Sequence, residues 1–352
     1  MKVDHIIVGQ GISGSLLGLR LQSLGKKVMV VDNRAPASSS NVASGIINPV
    51  TGKRLVRSWM TEQLVPFAWD TYTRLSAEWN VPLIKHCSIL DMHMTHESRD
   101  LFADKLVSEK EYLSEAGDEE KWKQYFRFNY GIGQIAPCLL LDIQTLLTKS
   151  REVLSAKGAL LEETFCIDDL IVNEEGVTYK NVKGEKILFC DGVAAADNPY
   201  FNRLPWSKDK GEAIIVSIPG LPAENIYKQG INIVPWHDGL FWVGASHDWK
   251  FTDLAPTEAF RKRAEEQLSY WLKLPYTIID HIVAQRPANL DRKPFVGLHP
   301  VHPSVGIFNG MGSKGCSVAP YFADQLARHL VQGVAISGDV DVRRFERLLS
   351  RM

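Results

Sequence analysis

Residues 5–14, with the sequence HIIVGQGISG, decide the fold. The mostly apolar run His5–Val8 is typical of a β-strand that is buried on both faces. Three glycines follow, and residues 15–25 then carry leucines at helical spacing. A second apolar run over residues 27–31 leads directly into Asp32. Strand, turn, helix and strand within about 30 residues predict a βαβ unit.

The three glycines of this stretch form a G-x-G-x-x-G pattern, which is typical of dinucleotide binding. The first allows a tight turn, the second lets a pyrophosphate approach the backbone, and the third lets helix and strand pack closely. The N–H groups at the helix N-terminus would bind the phosphates. Asp32 can accept both ribose hydroxyls, and an acid here disfavours the 2′-phosphate of NADP. The residues predicted to bind the dinucleotide are Gly9, Gly11, Ile12, Ser13, Gly14, Asp32 and Asn33. The alternative is an ordinary strand–helix turn.

A second G-x-G-x-x-G pattern, Gly310–Gly315, follows a predicted strand at 305–308 and precedes a predicted helix from about Val318 to Val331. Too few residues follow it for a second mononucleotide-binding half. The loop is better interpreted as a contact to the far end of the same cofactor. A flavin fits, because its N1–C2=O edge becomes negative on reduction and a helix N-terminus beside a lysine would stabilise that charge. The residues assigned to this contact are Gly312, Ser313, Lys314 and Gly315. Alternatively, the glycines only dock the C-terminal helix.

The composition limits the class of protein. The chain has 352 residues, with 40 lysines and arginines against 41 aspartates and glutamates. This length predicts two domains or one large α/β unit. The balanced charge argues against a protein that coats nucleic acid or an anionic membrane. The five cysteines are dispersed, and we identify no signal peptide and no membrane-spanning apolar stretch. We therefore expect a soluble, cytoplasmic protein without disulfides or zinc.

Further segments resemble the D-amino-acid oxidase, glycine oxidase and sarcosine oxidase family of FAD-dependent oxidoreductases, over nearly the whole chain. Ala43-Ser44-Gly45 is similar to the family's flavin-contacting loop. Cys190-Asp191-Gly192 lies where the family usually has Ala-x-Gly, but it carries an acid where the family is small and apolar. Arg286–Gly297 is the most specific match, followed by Gly312–Pro320. Ala43–Gly45 and Gly312–Pro320 resemble most closely the oxidase half of the bifunctional tRNA methylaminomethyl-uridine enzyme.

The resemblance implies an α/β fold, with a Rossmann-like FAD-binding domain and a mostly antiparallel-sheet substrate domain. It implies non-covalent FAD, since no cysteine lies in the setting used by family members with covalently attached flavin. The FAD-binding domain is expected to be discontinuous, over residues 1–78, 140–205 and 285–352. Residues 79–139 and 206–284 are expected to form the substrate domain.

The resemblance also implies three residues with roles in the reaction. Arg286 would lie over the flavin and hold a substrate carboxylate, because a guanidinium gives a carboxylate two parallel charge-assisted hydrogen bonds. Lys314 would stabilise the reduced flavin, and His247 would orient the substrate or accept a proton. The alternatives are a structural arginine restricted by Pro287 and a satisfied structural histidine. No metal site is expected, since one cluster lacks a matching third and fourth ligand: Asp91, His93 and His96.

The sequence therefore predicts an FAD-dependent oxidoreductase that oxidises the C–N bond of a small amine or amino acid by hydride transfer to flavin N5. A second hypothesis is a tRNA wobble-uridine oxidase. Residues 1–60 carry eight lysines and arginines against two aspartates, and Arg54, Arg57 and Trp59 could contact RNA. A third hypothesis is a non-catalytic nucleotide-binding protein that keeps the scaffold. No membrane partner is expected.

Overall fold

The computed structural model describes residues 1–52 and 54–350. The chain divides into two compact units, each assembled from separate stretches. Unit 1 contains Met1–Ala43, Ile143–Asp209 and the residues from Gln285 onward. Unit 2 contains Ser44–Asp142 and Lys210–Ala284.

The described residues form twenty β-strands. They are β1 (His5–Val8), β2 (Val28–Val31), β3 (Ile46–Ile47), β4 (Val50–Thr51), β5 (Val56–Arg57), β6 (Ile84–Met92), β7 (Leu113–Glu115), β8 (Ile132–Leu141), β9 (Leu160–Leu161), β10 (Leu170–Asn173), β11 (Gly176–Tyr179), β12 (Val182–Gly184), β13 (Lys186–Phe189), β14 (Trp206–Ser217), β15 (Ile226–Gln229), β16 (Ile231–Pro235), β17 (Phe241–Gly244), β18 (Thr277–Asn289), β19 (Phe295–Leu298) and β20 (Val305–Asn309).

Nine α-helices lie in the same described residues. They are α1 (Ile12–Ser23), α2 (Ser39–Val42), α3 (Thr61–Trp79), α4 (His96–Ser108), α5 (Glu119–Lys123), α6 (Ile143–Ala156), α7 (Glu258–Trp271), α8 (Gly315–Gln332) and α9 (Glu346–Leu349). The predicted βαβ unit is present as β1, α1 and β2. The helix predicted after the second glycine loop is α8, which ends at Gly333 in the left-handed conformation that glycine favours.

Unit 1 is built on a six-stranded sheet with the strand order β19-β20-β13-β1-β2-β9. β1 pairs in parallel with β2 and with β13, and β13 pairs in parallel with β20. All residues of β1 and β2 are buried, as expected for strands covered on both faces. The carboxyl ends of β1, β13 and β20 therefore lie side by side. This edge is where open α/β sheets bind their ligands.

A second, three-stranded antiparallel sheet in unit 1 has the order β10-β11-β12. The sequence Lys183-Gly184-Glu185 is typical of a hairpin turn, but the structure has a strand over most of it. Val182–Gly184 is strand β12, and Val177 of β11 lies opposite Gly184. The turn comes earlier, at Lys180, which adopts a left-handed conformation with φ 49°. The apolar faces of these strands pack with β1 and β13 in one hydrophobic core.

Unit 2 is built on a nine-stranded, mostly antiparallel sheet with the order β18-β14-β17-β16-β15-β6-β8-β3, and β7 pairs with β8. Helix α7 places Trp271 in the core, where its ring stacks on Phe126 with 4.8 Å between the ring centroids. The helix begins at Thr257, whose side chain accepts a hydrogen bond from the Phe260 backbone N–H. The mixed α/β fold and the antiparallel second layer agree with the fold class expected from the sequence.

The boundaries of the two units differ from the expected domain boundaries. Residues 44–78 and 140–142 were expected with the FAD-binding segments, but they lie in unit 2. The reason is long-range pairing: Ile46 of β3 lies opposite Leu140 of β8, which binds this stretch to the antiparallel sheet. Residues 206–209 were expected in the substrate domain and lie in unit 1.

In the part of the chain that the structure describes, none of the helices has the length and apolar character needed to span a membrane.

Candidate cofactor site

The first glycine turn links β1 to α1 and leaves no room for side chains. Gly9 has φ +94°, and a Cβ there would lie 2.5 Å from the carbonyl oxygen of Cys190. A Cβ at Gly14 would lie 1.8 Å from the carbonyl oxygen of Gly9. A side chain at either position would displace backbone, so the turn requires glycine for the tight approach of strand, helix and the neighbouring loop.

The N-terminus of α1 is open to an anion. Gly11 is the N-cap and provides no side chain to cap the helix, and the first turn contains no acidic residue. The Ile12 N–H donates to Ser40 Oγ at 3.0 Å, and Ser13 is buried. The partial positive charge of a helix N-terminus is therefore not offset within this turn. Such a terminus favours a phosphate group.

Asp32 follows β2 directly, at the position expected to bind a ribose. Its carboxylate accepts hydrogen bonds from the backbone N–H of Gln10 at 2.9 Å and of Arg34 at 2.7 Å. It also forms an ion pair with Arg151 of α6, with 2.9 Å between Nη1 and Oδ1. The neighbouring Asn33 points elsewhere, and its amide donates to Thr164 Oγ1 at 3.1 Å. The carboxylate is thus fixed by three groups of unit 1, two backbone N–H groups and one guanidinium.

A third loop, Cys190–Gly192, completes the carboxyl edge of the unit 1 sheet. It follows β13 and lies against the first glycine turn, because a Cβ on Gly9 would also approach Asp191 Cα at 3.1 Å. The side-chain amide of Asn309, at the end of β20, donates to Asp191 Oδ1 at 3.1 Å and to the Gly192 carbonyl at 2.9 Å. Three strand ends are therefore held together by hydrogen bonds and close backbone packing.

Asp191 is a partly buried carboxyl at this edge. Burial raises its pKa to about 7, although hydrogen bonds from its own backbone, Asn198 and Asn309 act in the opposite direction. The sequence already marks this acid as a departure from the family pattern. It is a group that changes charge near neutral pH beside the turn that would hold cofactor phosphates.

The second glycine loop lies between β20 and α8 in unit 1. Asn289 donates to the Gly310 carbonyl at 3.0 Å, and the Gly312 N–H donates to the Pro287 carbonyl at 3.1 Å. Lys314 is the N-cap of α8 and makes no side-chain capping hydrogen bond. A Cβ on Gly315 would lie 3.3 Å from Ile12 Cγ2. The N-termini of α8 and α1 are therefore neighbours.

Arg286 lies near the end of β18 and is charge-balanced. Its Nη1 lies 3.0 Å from Asp209 Oδ2, and the two side chains keep only 14% and 8% of their exposed area. The next residue, Pro287, is the one that accepts the hydrogen bond from Gly312. The backbone beside Arg286 is therefore held against the second glycine loop, and its guanidinium already has an anionic neighbour.

The segment Ala43-Ser44-Gly45 follows α2. Ala43 ends the helix in an extended conformation. Gly45, in unit 2, has φ +81°, and a Cβ there would lie 1.9 Å from the carbonyl oxygen of Leu141. The Leu141 N–H donates to the Gly45 carbonyl at 3.0 Å. Glycine is required here by the close packing of β8 on this turn, which explains the residue without reference to a flavin.

His247 lies beyond the end of β17, which stops at Gly244. Its exposed ring stacks on Trp249, with 5.9 Å between the centroids and 16° between the planes. The preceding residue is fixed more firmly, since Ser246 Oγ accepts a hydrogen bond from the Glu212 N–H at 2.9 Å. His247 thus belongs to a surface loop of unit 2, and its suggested role in the reaction stays a prediction.

Across residues 1–52 and 54–350, no group of three His, Cys, Asp or Glu side chains is arranged to hold a metal ion. Asp91 is used in an ion pair with Lys228 at 2.6 Å. The rings of His93 and His96 pack against aromatic side chains.

Comparison with known proteins places this geometry in a family. The family model described as "DAO: FAD dependent oxidoreductase" matches residues 4–329. The chain belongs to this family. It is accordingly an FAD-dependent oxidoreductase with the mixed α/β fold of the DAO family.

Solved structures of other DAO-like proteins share the fold over their whole length. Glycine oxidase from Geobacillus kaustophilus matches with a TM-score of 0.79 and 18% identity, covering 100% of this chain and 99% of that one. Iminodiacetate oxidase from Chelativorans sp. BNC1 matches with a TM-score of 0.78 and 18% identity, covering 98% of each chain. L-proline dehydrogenase from P. horikoshii matches with a TM-score of 0.77 and 17% identity, also covering 98% of each.

The donor set at the carboxyl edge of unit 1 fits FAD. A turn from which side chains are excluded, together with an uncapped helix N-terminus, suits a pyrophosphate. A fixed carboxylate at the end of β2 suits a ribose, and the uncapped N-terminus of α8 suits the flavin edge that becomes negative on reduction.

Four residues of this oxidoreductase's site were not found from the sequence: Gln10, Arg151, Asp209 and Asn309. Gln10 occupies a variable position of the glycine motif, so the pattern gives no information on its side chain. Arg151 and Asp209 act through partners that are distant along the chain, and no local pattern indicates such pairs. Asn309 directly precedes the second glycine loop, and its position at a strand end is the one signal that could have identified it.

Proposed function

We propose that this oxidoreductase oxidises the C–N bond of a small amine or amino acid. FAD, when bound, supplies the hydride acceptor at its N5 atom. The protein's task is then to bind the substrate amine and its C–H bond in the correct orientation, and this reaction does not require a strong base. The oxidases among the similar structures act on glycine and on iminodiacetate, as their names state.

We assign most of the FAD contacts, and the carboxylate-binding Arg286, to unit 1. The support is the carboxyl edge described above, to which three strand ends of unit 1 contribute. The residues assigned to FAD are Gly9, Gly11, Ile12, Ser13, Gly14, Asp32, Asn33, Ala43, Ser44, Gly45, Gly312, Ser313, Lys314 and Gly315. We expect FAD to be held non-covalently.

The observation that carries the substrate proposal is the position of Arg286. The hydrogen bond from Gly312 to the Pro287 carbonyl, 3.1 Å long, holds this part of β18 against the loop assigned to the flavin. The buried ion pair with Asp209 makes the local charge close to neutral. A substrate with both a carboxylate and an amine complements such a pair, since the guanidinium attracts the first group and the carboxylate attracts the second. This favours amino acids over simple amines or simple acids.

Lys314 and His247 complete the proposed machinery. Lys314 adds a positive charge at the N-terminus of α8, where it would stabilise the negative charge of the reduced flavin. His247 would orient the substrate or accept a proton. Its exposed position in a loop with Trp249 is also compatible with a surface role only.

The test of the proposed function is anaerobic mixing of the purified, FAD-loaded protein with a panel of substrates. The panel contains amino acids, N-methylated amino acids and simple amines without a carboxylate, and the readout is loss of flavin absorbance. We expect bleaching by one or more amino acids and little or none by the amines that lack a carboxylate. If no amine of any kind bleaches the flavin, the non-catalytic nucleotide-binding function replaces this proposal.

Replacing Arg286 with Ala should leave the protein yellow and raise KM for the best amino acid by about 10- to 100-fold, the range expected for losing a charge-assisted hydrogen bond. Arg286→Lys keeps the charge but loses bidentate hydrogen bonding, so its KM should lie between those of the wild type and of Arg286→Ala. Steady-state kinetics with both variants measure this. Unchanged kinetics in Arg286→Ala would show that this residue does not bind the carboxylate.

A second candidate is oxidation of a carboxymethylated amine on a tRNA wobble uridine. Its support is the resemblance of Ala43–Gly45 and Gly312–Pro320 to the tRNA-modifying enzyme, whose substrate also carries an amine and a carboxylate. The structure weakens the argument that Arg54, Arg57 and Trp59 bind RNA. Arg57 pairs with Glu62 at 2.7 Å and with Glu109 at 2.8 Å, so part of its charge is already balanced.

Salt-dependent binding separates the two candidates. A tRNA-modifying oxidase should retain tRNA at low salt and lose it steeply as the salt concentration rises, because binding releases counterions. Modified tRNA should then bleach the flavin in the anaerobic assay. Failure to retain tRNA at low salt removes this candidate and leaves the amino-acid oxidase.

A further inference from the structure

A buried polar network surrounds Asp32 and reaches into helix α6. Arg151 donates from Nη1 to Asp32 Oδ1 at 2.9 Å and to Gln10 Oε1 at 3.1 Å, and its Nη2 lies 3.1 Å from Glu162 Oε2. Gln10 also donates from Nε2 to Ser15 Oγ at 2.9 Å. Both Arg151 and Gln10 are at least nine-tenths buried, with exposed fractions of 9% and 7%.

The hydrogen bonds to Asp32 use most of its acceptor capacity. A carboxylate has about four acceptor sites, two on each oxygen. Oδ1 accepts hydrogen bonds from the Arg34 N–H at 2.7 Å and from Arg151 Nη1 at 2.9 Å, so both acceptor sites of Oδ1 are used. Oδ2 accepts from the Gln10 N–H at 2.9 Å, which uses one. One acceptor site, on Oδ2, therefore remains for a ligand.

We propose that Arg151 and Gln10 are positioning residues that orient Asp32 so that Oδ2 accepts a hydrogen bond from a single hydroxyl of the adenosine ribose. This replaces the expectation, drawn from the sequence, that Asp32 accepts both ribose hydroxyls. The inference depends on the assignment of the FAD site and is independent of the substrate.

The same pairing has an electrostatic effect. A carboxylate close to a pyrophosphate repels it, and burial strengthens that repulsion. The guanidinium of Arg151 offsets the charge of Asp32 from a side chain that is only 11% exposed. Arg151 therefore allows an acid to stand beside the phosphate-binding turn, and its removal should weaken FAD binding even though Arg151 itself is not assigned to touch FAD.

The first experiment measures FAD release from the holoenzyme after dilution, by the rise in flavin fluorescence. Arg151→Met removes the hydrogen bonds and the charge while keeping a long apolar stem, and we expect the FAD Kd to rise about 10- to 100-fold. Arg151→Lys keeps the charge but lacks the planar group that binds Asp32 and Gln10 together. Its FAD Kd should therefore lie between those of the wild type and of Arg151→Met. A matched control is Arg20→Met, which removes an Arg–Asp pair of 2.7 Å with Asp324 near the other end of α1. The control should change the Kd by less than about threefold.

A purely structural role for Arg151 gives a different result. The network would then only fasten α6 to the sheet, and Arg151→Met would lower the melting temperature of the FAD-free protein without changing FAD release. That outcome would overturn the proposal. We expect instead that the melting temperature of the holoenzyme falls more than that of the FAD-free protein, because a ligand that binds less tightly stabilises less.

The second experiment tests the single hydroxyl. The FAD-free full-length chain is titrated with FAD and with analogues that lack either the 2′- or the 3′-hydroxyl of the adenosine ribose. One analogue should bind about tenfold more weakly than FAD and the other about equally well. Equal losses for both analogues would contradict a single-hydroxyl contact, and no loss for either would contradict the role of Asp32. Neither experiment uses a substrate, so their failure is distinguishable from failure of the proposed amino-acid oxidation.

Discussion

Asp191 is the residue that departs most clearly from the family pattern. Its pKa is raised to about 7 because burial disfavours the charged form. In the unfolded chain a carboxyl ionises near 3.8. Between these two values the folded protein holds a proton that the unfolded chain has lost. The contribution of Asp191 to the free energy of unfolding therefore falls as pH rises from about 4 to about 7, and stays low above that.

Replacing Asp191 with Asn removes this titration while keeping the shape of the side chain. The free energy of unfolding of the variant minus that of the wild type should be larger at pH 8 than at pH 5, by about 1 kcal/mol or more. One pKa unit corresponds to 1.36 kcal/mol. Urea unfolding of FAD-saturated protein at the two pH values measures it. Asp197→Asn, an exposed acid of the same loop, is the control. An equal difference at both pH values would contradict the assignment.

Buried histidines act in the opposite direction, most strongly His5 and His299, and comparison of variant with wild type removes their effect. Burial lowers the pKa of His5 and of His299 to about 4, so each takes up a proton on unfolding below pH 6.5. Their contribution to stability is lost as pH falls from about 6.5 to about 4. Because Asp191→Asn leaves both histidines unchanged, the difference between variant and wild type isolates Asp191.

At the scale of elements, the proposed site is built on two helices whose N-cap residues, Gly11 and Lys314, make no side-chain capping hydrogen bond. α1 and α8 are joined along their length by the ion pair between Arg20 and Asp324, and Gly315 packs on Ile12 at their beginning. Aligned peptide dipoles make both termini partly positive. Two such termini suit the two parts of FAD that are negative, the pyrophosphate and the reduced flavin.

Lys314→Met tests the contribution of α8. Loss of this charge should lower the two-electron reduction potential of the bound flavin by about 30 mV, which corresponds to about 1.4 kcal/mol. Potentiometric titration of the holoenzyme with redox dyes gives the value. Lys149→Met removes a partly exposed lysine that pairs with Glu152 on α6, and the potential of this variant should equal that of the wild type. A potential that does not change in Lys314→Met would show that this side chain does not interact with the flavin.

Elements with a strong local pattern could be predicted from the sequence. The leucines of α1, the two glycine loops and the glycine that ends α8 depend on neighbours a few residues away. The βαβ unit and helix α8 could therefore be predicted. The turn after β11 and residues 44–78 could not be assigned correctly. Their places are decided by strand pairing, such as Ile46 opposite Leu140, and local periodicity does not encode the partner of a strand.

At the scale of the whole molecule, most of the site residues lie in one unit although the chain leaves that unit twice. The glycine motif and the second glycine loop are near opposite ends of the sequence and still meet at one sheet edge. Both motifs could be recognised because each is a short local pattern, and their binding to one FAD stays a prediction. The network of Gln10, Arg151 and Asp32 could not, because a buried ion pair between residues 119 positions apart has no signature in the sequence.

FAD should stabilise unit 1 as a whole, since the proposed ligand contacts come from several of its stretches. At a free FAD concentration of 100 times Kd, linkage predicts about 2.7 kcal/mol of added stability relative to the FAD-free protein. Denaturant unfolding at several FAD concentrations measures this dependence. A melting temperature that does not respond to FAD would contradict binding at the assigned edge.

The hydrogen bonds from Asn309 to Asp191 and Gly192 have a consequence for biosynthesis. Strand β13 is flanked by β1 and β20, so the nucleotide-binding edge lacks one border until translation has passed residue 309 and the following helix has left the ribosome. We therefore expect flavin binding to be a late event in synthesis of the chain, and truncated products that lack β20 and α8 should be colourless.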